Sequence, residues 1–136
     1  MNQPSIRLYA LVAAGAVCGG LLRYLMAVGG LLASDFDLPL ATLMANALGS
    51  FVVGWLHGRI ITDRLRLDES ARVALMAGFC GSLTTFSIFS FECLLLLQAG
   101  QLGLAGTYVL LSLVVWMAAV GLGFRLGRGS RALPSA

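Results

Sequence analysis

Charged residues are scarce in this sequence of 136 residues, making up 11% of it, whereas hydrophobic residues make up 59%. Soluble domains usually contain about 25% charged residues, so this composition excludes a soluble domain of ordinary make-up. Common enzyme motifs are also missing: there is no H-E-x-x-H, no C-x-x-C pair, no P-loop and no dinucleotide-binding glycine motif. We therefore expect a membrane protein that is not an enzyme. A net charge of +3 does not require a nucleic-acid partner.

Four apolar segments are long enough to cross a membrane, which takes about 20 residues. They cover residues 6–32, 39–61, 70–98 and 102–125, and we expect a single domain over residues 1–136. The predicted fold class is an all-α membrane protein with four transmembrane helices per protomer. The first segment is long and lacks a clear small-residue cleavage site, so we expect it to be retained and not removed as a signal peptide.

The third segment has the wrong composition for an uninterrupted helix. From residue 78 to 92 it reads G-F-C-G-S-L-T-T-F-S-I-F-S-F-E. Its glycines lack a Cβ, and its serine and threonine hydroxyls offer the backbone alternative hydrogen bonds, so we predict a break near Gly81–Thr85. Irregular backbone inside a bilayer is tolerated only where it is buried in protein or lines a wet cavity. We therefore expect a polar site at the break.

Two polar residues within the first two spans have alternative interpretations. Asn46 can donate hydrogen bonds to an anion, or it can tie two helices together. Arg23 lies well inside the first span, where a guanidinium must pair, extend to the interface or face an aqueous space. Its role is either electrostatic support for an anion pathway or purely structural.

The third and fourth spans carry spaced aromatic and hydroxyl residues. Phe86 and Phe89 are three residues apart and share one helical face, and Tyr108 and Ser112 are four apart on the next span. Aromatic residues at this spacing are usually core, but a phenyl edge carries partial positive charge and can accept an anion. Glu92, the only acid within a span, is expected near a vestibule.

Three motifs resemble those of one known family. These are G-G-L-L-R-Y in the first span, N-A-L-G-S-F in the second and the third-span motif quoted above. In these motifs the chain resembles the CrcB/Fluc family of fluoride channels, and the similarity in length and span layout covers nearly the whole chain. The resemblance implies passive fluoride efflux that protects the cell from fluoride toxicity. It also implies an antiparallel, dual-topology dimer with two fluoride pathways along the protomer interface.

The resemblance also implies roles for particular residues of this chain. The fluoride pathway would include Asn46, Phe86, Ser87, Phe89, Tyr108 and Ser112. Arg23 would give electrostatic support, and a structural sodium ion (Na+) would be held by the backbone carbonyls of Gly81 and Thr84. The chain departs from the family at one position, because the polar track of such proteins continues one turn beyond Ser112, where this chain has Trp116.

The implied location is the bacterial cytoplasmic (inner) membrane, with lipids as surrounding partners. The distribution of arginines affects which dimer is possible. The arginines at the N-terminus, in the loop of residues 59–72 and at the C-terminus all fall on one side of the membrane. The positive-inside rule then predicts a single orientation, whereas a dual-topology homodimer needs a near balance. Two assemblies stay open, an antiparallel homodimer and a pair with an oppositely oriented paralogue. We favour the homodimer because the chain carries every pore element itself.

A second function is a proton-coupled exporter resembling the small multidrug resistance family. Such a protein shares the size, the number of spans and the dual topology, but it would need an acid in its first helix. No acid lies between Ile6 and Leu32. The residues therefore favour the channel.

Overall fold

The computed structural model describes residues 6–33 and 38–129. The helices in chain order are α1 (Ile6–Ala33), α2 (Leu40–Ile61), α3 (Glu69–Val73), a π-helical segment (Ala74–Cys80), α4 (Gly81–Leu83), α5 (Phe86–Gln98) and α6 (Leu102–Arg128). Those two stretches of the chain contain no strand. The predicted all-α fold class is confirmed.

Four helical stretches are long and apolar enough to cross a membrane. They are Ile6–Gly30, Leu40–Ile61, Glu69–Gln98 and Leu102–Arg128. The third of them, which we call the third span, contains α3, the π-helical segment, α4 and α5. Length and composition therefore indicate an integral membrane protein.

Helices α2 and α6 pack closely through glycines on both partners. A Cβ on Gly54 would overlap the Val120 carbonyl, and a Cβ on Gly127 would overlap the Trp55 carbonyl. Gly123 contacts Phe51, and four residues further along both helices Gly127 contacts Trp55, so the two helices run parallel. Small residues allow such backbone contact in membrane proteins, where dispersion forces drive helix association.

Helix α1 packs against the third span in the same manner. A Cβ on Gly15 would lie against the Ala74 carbonyl, and one on Gly19 would overlap the Phe79 carbonyl. Gly78 faces Val12 from the other side. The glycine pair of the first span thus acts in helix packing.

The third span breaks at two residues with extended backbone. Thr84 has φ −83° and ψ 153°, and Thr85 has φ −150° and ψ 122°. Before the break, the Thr84 N–H and hydroxyl both donate to the Cys80 carbonyl at 3.0 Å. After it, the Thr85 hydroxyl caps α5 by accepting the Ile88 N–H at 3.3 Å. The predicted broken third helix is confirmed.

A tight turn reverses the chain between α5 and α6. Gly100 takes φ +76°, and the N–H groups of Gly100 and Gln101 donate to the carbonyls of Leu97 and Leu96 at 3.0 and 2.9 Å. This is a Schellman arrangement, for which a left-handed glycine is preferred. The turn places α5 beside α6, and α2 completes the buried cluster of Leu43, Phe89, Leu96, Ala105 and Tyr108.

Candidate functional site

Asn46 bridges α2 to the break in the third span. Its Nδ2 donates to the Thr85 carbonyl at 3.0 Å, and its Oδ1 accepts the Thr85 N–H at 2.7 Å. The side chain is 5% exposed. One N–H of the amide is thus used to tie two helices, and a primary amide has a second. The helix-tying role is present, and it leaves a donor for an anion.

The same contacts release two backbone carbonyls. In a continuing helix, the Thr85 N–H would bond to the Gly81 carbonyl and the Ile88 N–H to the Thr84 carbonyl. The first N–H donates instead to Asn46, and the second to the Thr85 hydroxyl. Gly81 and Thr84 therefore lack the helical donors that would normally satisfy their carbonyl oxygens.

Glu92 joins three helices through its carboxylate. Thr42 of α2 donates to Oε1 at 2.7 Å, and Tyr108 of α6 donates to Oε2 at 2.7 Å. Both donors are neutral hydroxyls, and Tyr108 is 0% exposed. A charged acceptor shortens and strengthens such hydrogen bonds. We call Thr42, Glu92 and Tyr108 the carboxylate clamp.

An aromatic cluster lies next to the clamp. The Phe89 ring centroid is 5.2 Å from that of Tyr108 and 4.9 Å from that of Trp116, and the second contact is edge-on. Phe86 is 5.9 Å from Phe89 but is 75% exposed. The two phenylalanines therefore differ, because Phe89 is packed in the protomer and Phe86 projects from it.

Ser112 lies one turn after Tyr108 and is 0% exposed. Its hydroxyl has no hydrogen-bond partner among the residues that the structure describes. Serine in a membrane helix usually bonds to a carbonyl one turn back, as Thr107 does with Gly103 at 2.9 Å. A buried hydroxyl without a partner is unusual, because leaving it unsatisfied is unfavourable by about 1–3 kcal/mol.

Two cavities border the break. One, of about 220 Å³, is lined by Asn46, Ser50, Thr84, Thr85, Phe86 and Trp116. The other, of about 440 Å³, contains Gly81 and Cys80 in its lining and shares Ser50, Thr84 and Trp116 with the first. Asn46 and Thr84 thus border open space.

The remaining predicted site residues lie further out. Ser87 is exposed, with its hydroxyl 3.3 Å from that of Thr85. Gly81 is also exposed, with a helical φ of −63°, and a Cβ there would meet nothing within 4 Å. Arg23 is partly exposed and forms no ion pair with a described carboxylate. Among the predicted site residues, the fold places Phe89 against Tyr108, and it places Asn46 and Phe86 in the lining of one cavity.

Three members of the site were not among the predicted site residues. Thr42 and Glu92 belong to the carboxylate clamp, and Thr85 both caps α5 and receives Asn46. A signal was available for Glu92, because an acid inside a membrane span indicates function by default and needs a partner. Thr42 is four residues before Asn46, on the same face of α2.

Comparison with known proteins identifies relatives across most of the chain. The profile of the family described as "CrcB-like protein, Camphor Resistance (CrcB)" matches residues 10–124. The chain is 41% identical to the "Fluoride-specific ion channel FluC" of Agrobacterium fabrum over 119 residues, which cover 88% of this chain and 94% of the relative.

Two further relatives come from other organisms. "Fluoride-specific ion channel FluC 1" of Bradyrhizobium diazoefficiens is 43% identical over 131 residues, covering 90% of this chain and 91% of the relative. "Fluoride-specific ion channel FluC" of Pyrococcus horikoshii is 36% identical over 122 residues, covering 90% and 97%. These relatives are ion channels, so the expectation that this chain is not an enzyme is confirmed. The chain belongs to the CrcB/Fluc family.

Proposed function

We propose that this chain forms a fluoride-selective channel in the bacterial cytoplasmic membrane. Fluoride leaves the cell passively through it, which protects the cell from fluoride toxicity. The names of the relatives support fluoride as the transported ion. The observation that carries the proposal is that Asn46 and the break at Thr84 and Thr85 border open space, while the buried Ser112 hydroxyl has no partner among the described residues, inside helices apolar enough to span a membrane.

The chemistry of fluoride fits these groups. A small anion is strongly hydrated, so a pathway must replace its water with close donors. The second N–H of Asn46 and the Ser112 hydroxyl, which has no partner among the described residues, are such donors. The edges of Phe86 and Phe89 add weak positive charge without a fixed cation that would retain the ion. Ser87 and Tyr108 complete the pathway that we assign, and Arg23 supports it from a distance.

The proposed assembly is an antiparallel homodimer. Thr84 borders open space, Ser87 is exposed, and Phe86 is 75% exposed beside them. Lipid-exposed irregular backbone does not occur within the hydrocarbon region, so this surface needs a protein cover. A second copy related by a two-fold axis is the simplest cover, because both copies then bury the same surface. An oppositely oriented paralogue is the alternative.

A structural sodium ion fits the backbone at the break. The carbonyls of Gly81 and Thr84 have lost their helical donors, and carbonyl oxygen suits hard cations. No cluster of His, Cys, Asp or Glu able to hold a metal occurs in the described residues. Two carbonyls from each protomer would hold the ion, whose charge would offset part of the unfavourable free energy of an anion in the membrane.

Liposomes that contain the purified protein and fluoride test the main proposal. We expect rapid fluoride efflux that does not require a proton gradient. Efflux that occurs only with a proton gradient would favour the exporter instead. No efflux under either condition would overturn both functions.

Sodium replacement tests the proposed cation separately. If protein is purified and assayed with N-methylglucamine in place of sodium, we expect fluoride flux and thermal stability of the dimer to fall together. Thr84→Ser keeps the hydroxyl that bonds Cys80 and should be tolerated better than Thr84→Val. Flux and stability that are indifferent to sodium would contradict the cation site but leave the channel proposal intact.

A further inference from the structure

Ser112 lies between the two aromatic residues of α6 that Phe89 contacts. Tyr108 and Trp116 lie one helical turn before and after Ser112, on the same face of α6. Phe89 contacts both rings, with centroid distances of 5.2 and 4.9 Å. Ser112 itself is 0% exposed, and its hydroxyl has no partner among the described residues.

Trp116 is held in place by contacts with α2 and α5. Its Nε1–H donates to the Leu43 carbonyl of α2 at 3.3 Å, while its ring packs edge-on against Phe89. The indole also lines both cavities at the break. A ring that is hydrogen-bonded at one end and packed at the other cannot turn without breaking a contact.

We infer that the Phe89 ring, which lies against the rings before and after Ser112, covers this serine, and that Trp116 is a positioning residue that keeps the ring there and so limits how fast an anion reaches the Ser112 hydroxyl. Part of this inference rests on the proposed function, since only a conducting protein has a rate to limit. The inferred cover concerns the fold alone and can be tested without fluoride. For an anion to contact Ser112, Phe89 must swing away from Tyr108 or from Trp116. Weakening the hold on Trp116 makes that motion easier.

Accessibility of a thiol at position 112 tests the cover directly. In a background where Cys18, Cys80 and Cys93 are replaced by Ala, Ser112→Cys introduces one thiol, and its reaction with methyl methanethiosulfonate is followed by mass spectrometry. Trp116→Phe keeps an aromatic ring but removes the hydrogen bond to Leu43. We expect it to raise the modification rate about fivefold, the factor that one ordinary hydrogen bond provides.

Two further variants make the test specific. Phe89→Ile removes the covering ring without touching Trp116, and we expect it to raise the modification rate at least as much. Trp55→Phe alters the other tryptophan, which stacks with Arg59 far from Ser112, and should leave the rate unchanged. If neither Trp116→Phe nor Phe89→Ile accelerates modification, Phe89 does not cover Ser112 and the inference is overturned.

Fluoride flux separates this inference from the proposed function. With Ser112 intact, Trp116→Phe should raise the efflux rate per protein by a similar factor, because the cover opens more often. Faster thiol modification with unchanged fluoride efflux would overturn the claim that the cover limits passage. A parent protein that passes no fluoride would refute the channel, whereas the thiol measurement would still decide whether the cover exists.

Discussion

Two carboxylates of this protein each accept two hydrogen bonds, but their surroundings are opposite. In the loop after α2, Asp63 accepts bonds of 3.0 and 2.5 Å from Arg66, and the two side chains are 69% and 82% exposed. Glu92 accepts its two bonds of 2.7 Å from Thr42 and Tyr108 inside the membrane-spanning bundle. Asp63 thus pairs with a charged side chain in water, whereas Glu92 accepts hydrogen bonds from neutral hydroxyls among apolar helices.

The surroundings of a polar group determine how much its hydrogen bonds contribute to stability. When an exposed ion pair breaks, water takes the place of each partner, so such pairs contribute little to stability. When a buried hydroxyl is removed, the group it served loses its partner in a medium of low dielectric constant. We therefore expect changes near Glu92 and Asn46 to alter stability and transport, and changes at Asp63 to alter almost nothing.

The largest effect is expected when a carboxylate replaces the amide of Asn46. Asn46→Asp keeps the size of the side chain but turns its nitrogen donor to Thr85 into an acceptor. Two like charges about 4 Å apart repel by about 4 kcal/mol at an effective dielectric constant of about 20. Fluoride efflux from liposomes at neutral pH should therefore fall about a thousandfold.

Gln98→Glu is the matched control for this substitution. It makes the same exchange of amide for carboxylate at the exposed end of α5 and should conduct like the parent. If Asn46→Asp conducts fluoride like the parent, Asn46 does not serve the ion and only ties two helices together.

The next effect in size concerns the two phenylalanines beside the clamp. Phe86→Ile and Phe89→Ile keep an apolar side chain but remove the polarised ring edge, which should lower fluoride efflux by about tenfold, and in Phe89→Ile this loss should outweigh the faster access to Ser112. Phe91→Ile is the control, because Phe91 is also on α5 and is 58% exposed. We expect all three variants to purify as folded protein of the parental oligomeric size. Equal efflux in the three would show that the aromatic edges do not serve the ion.

Removing one donor from the clamp tests the buried carboxylate itself. Thr42→Val and Tyr108→Phe each delete one hydroxyl bond to Glu92, and a bond to a charged group is worth about 1.5–3 kcal/mol. Each variant should unfold at lower temperature in detergent, and the double variant should depart from additivity because both hydroxyls serve one carboxylate. Thr107→Val removes a hydroxyl that bonds only within its own helix. If the clamp variants are as stable as Thr107→Val, the comparison with Asp63 is wrong.

Much of the fold could be predicted from the sequence because a membrane span requires a long run of apolar residues. The lengths of the apolar segments predicted the four helices, and the cluster of glycine, serine and threonine predicted the break. The spacing of Tyr108 and Ser112 correctly placed them on one face. These features depend on neighbours within one helix, and such neighbours can be read from the order of residues.

The contacts between helices could not be predicted in this way. Glu92 is separated by 50 residues from Thr42 and by 16 from Tyr108, and no local pattern connects them. The use of Asn46 against the Thr85 backbone depends equally on how α2 meets the break. The roles assigned to Gly81, Thr84 and Arg23 rest on family resemblance, and they stay predictions.

The smallest effect is expected at Asp63. Hydrogen bonds from Arg66, and then its charge, lower the pKa of this carboxyl below its ordinary value of 3.8. A carboxyl with a lowered pKa in the folded state adds stability above its unfolded pKa and loses it as the pH falls through the folded value. Because the pair is fully solvated, Asp63→Asn should change neither fluoride efflux nor unfolding temperature measurably at neutral pH.

The choice of asparagine for this variant matters because Asp63 has φ +54°. Asparagine tolerates this left-handed conformation nearly as well as aspartate, whereas alanine would add backbone strain to the loss of the ion pair. Asp63→Ala should therefore be less stable than Asp63→Asn, and by the same amount at acidic and neutral pH, since strain does not titrate. If Asp63→Asn instead lowers the unfolding temperature as much as Thr42→Val does, the exposed ion pair stabilises the loop, and burial is not what separates the two carboxylates.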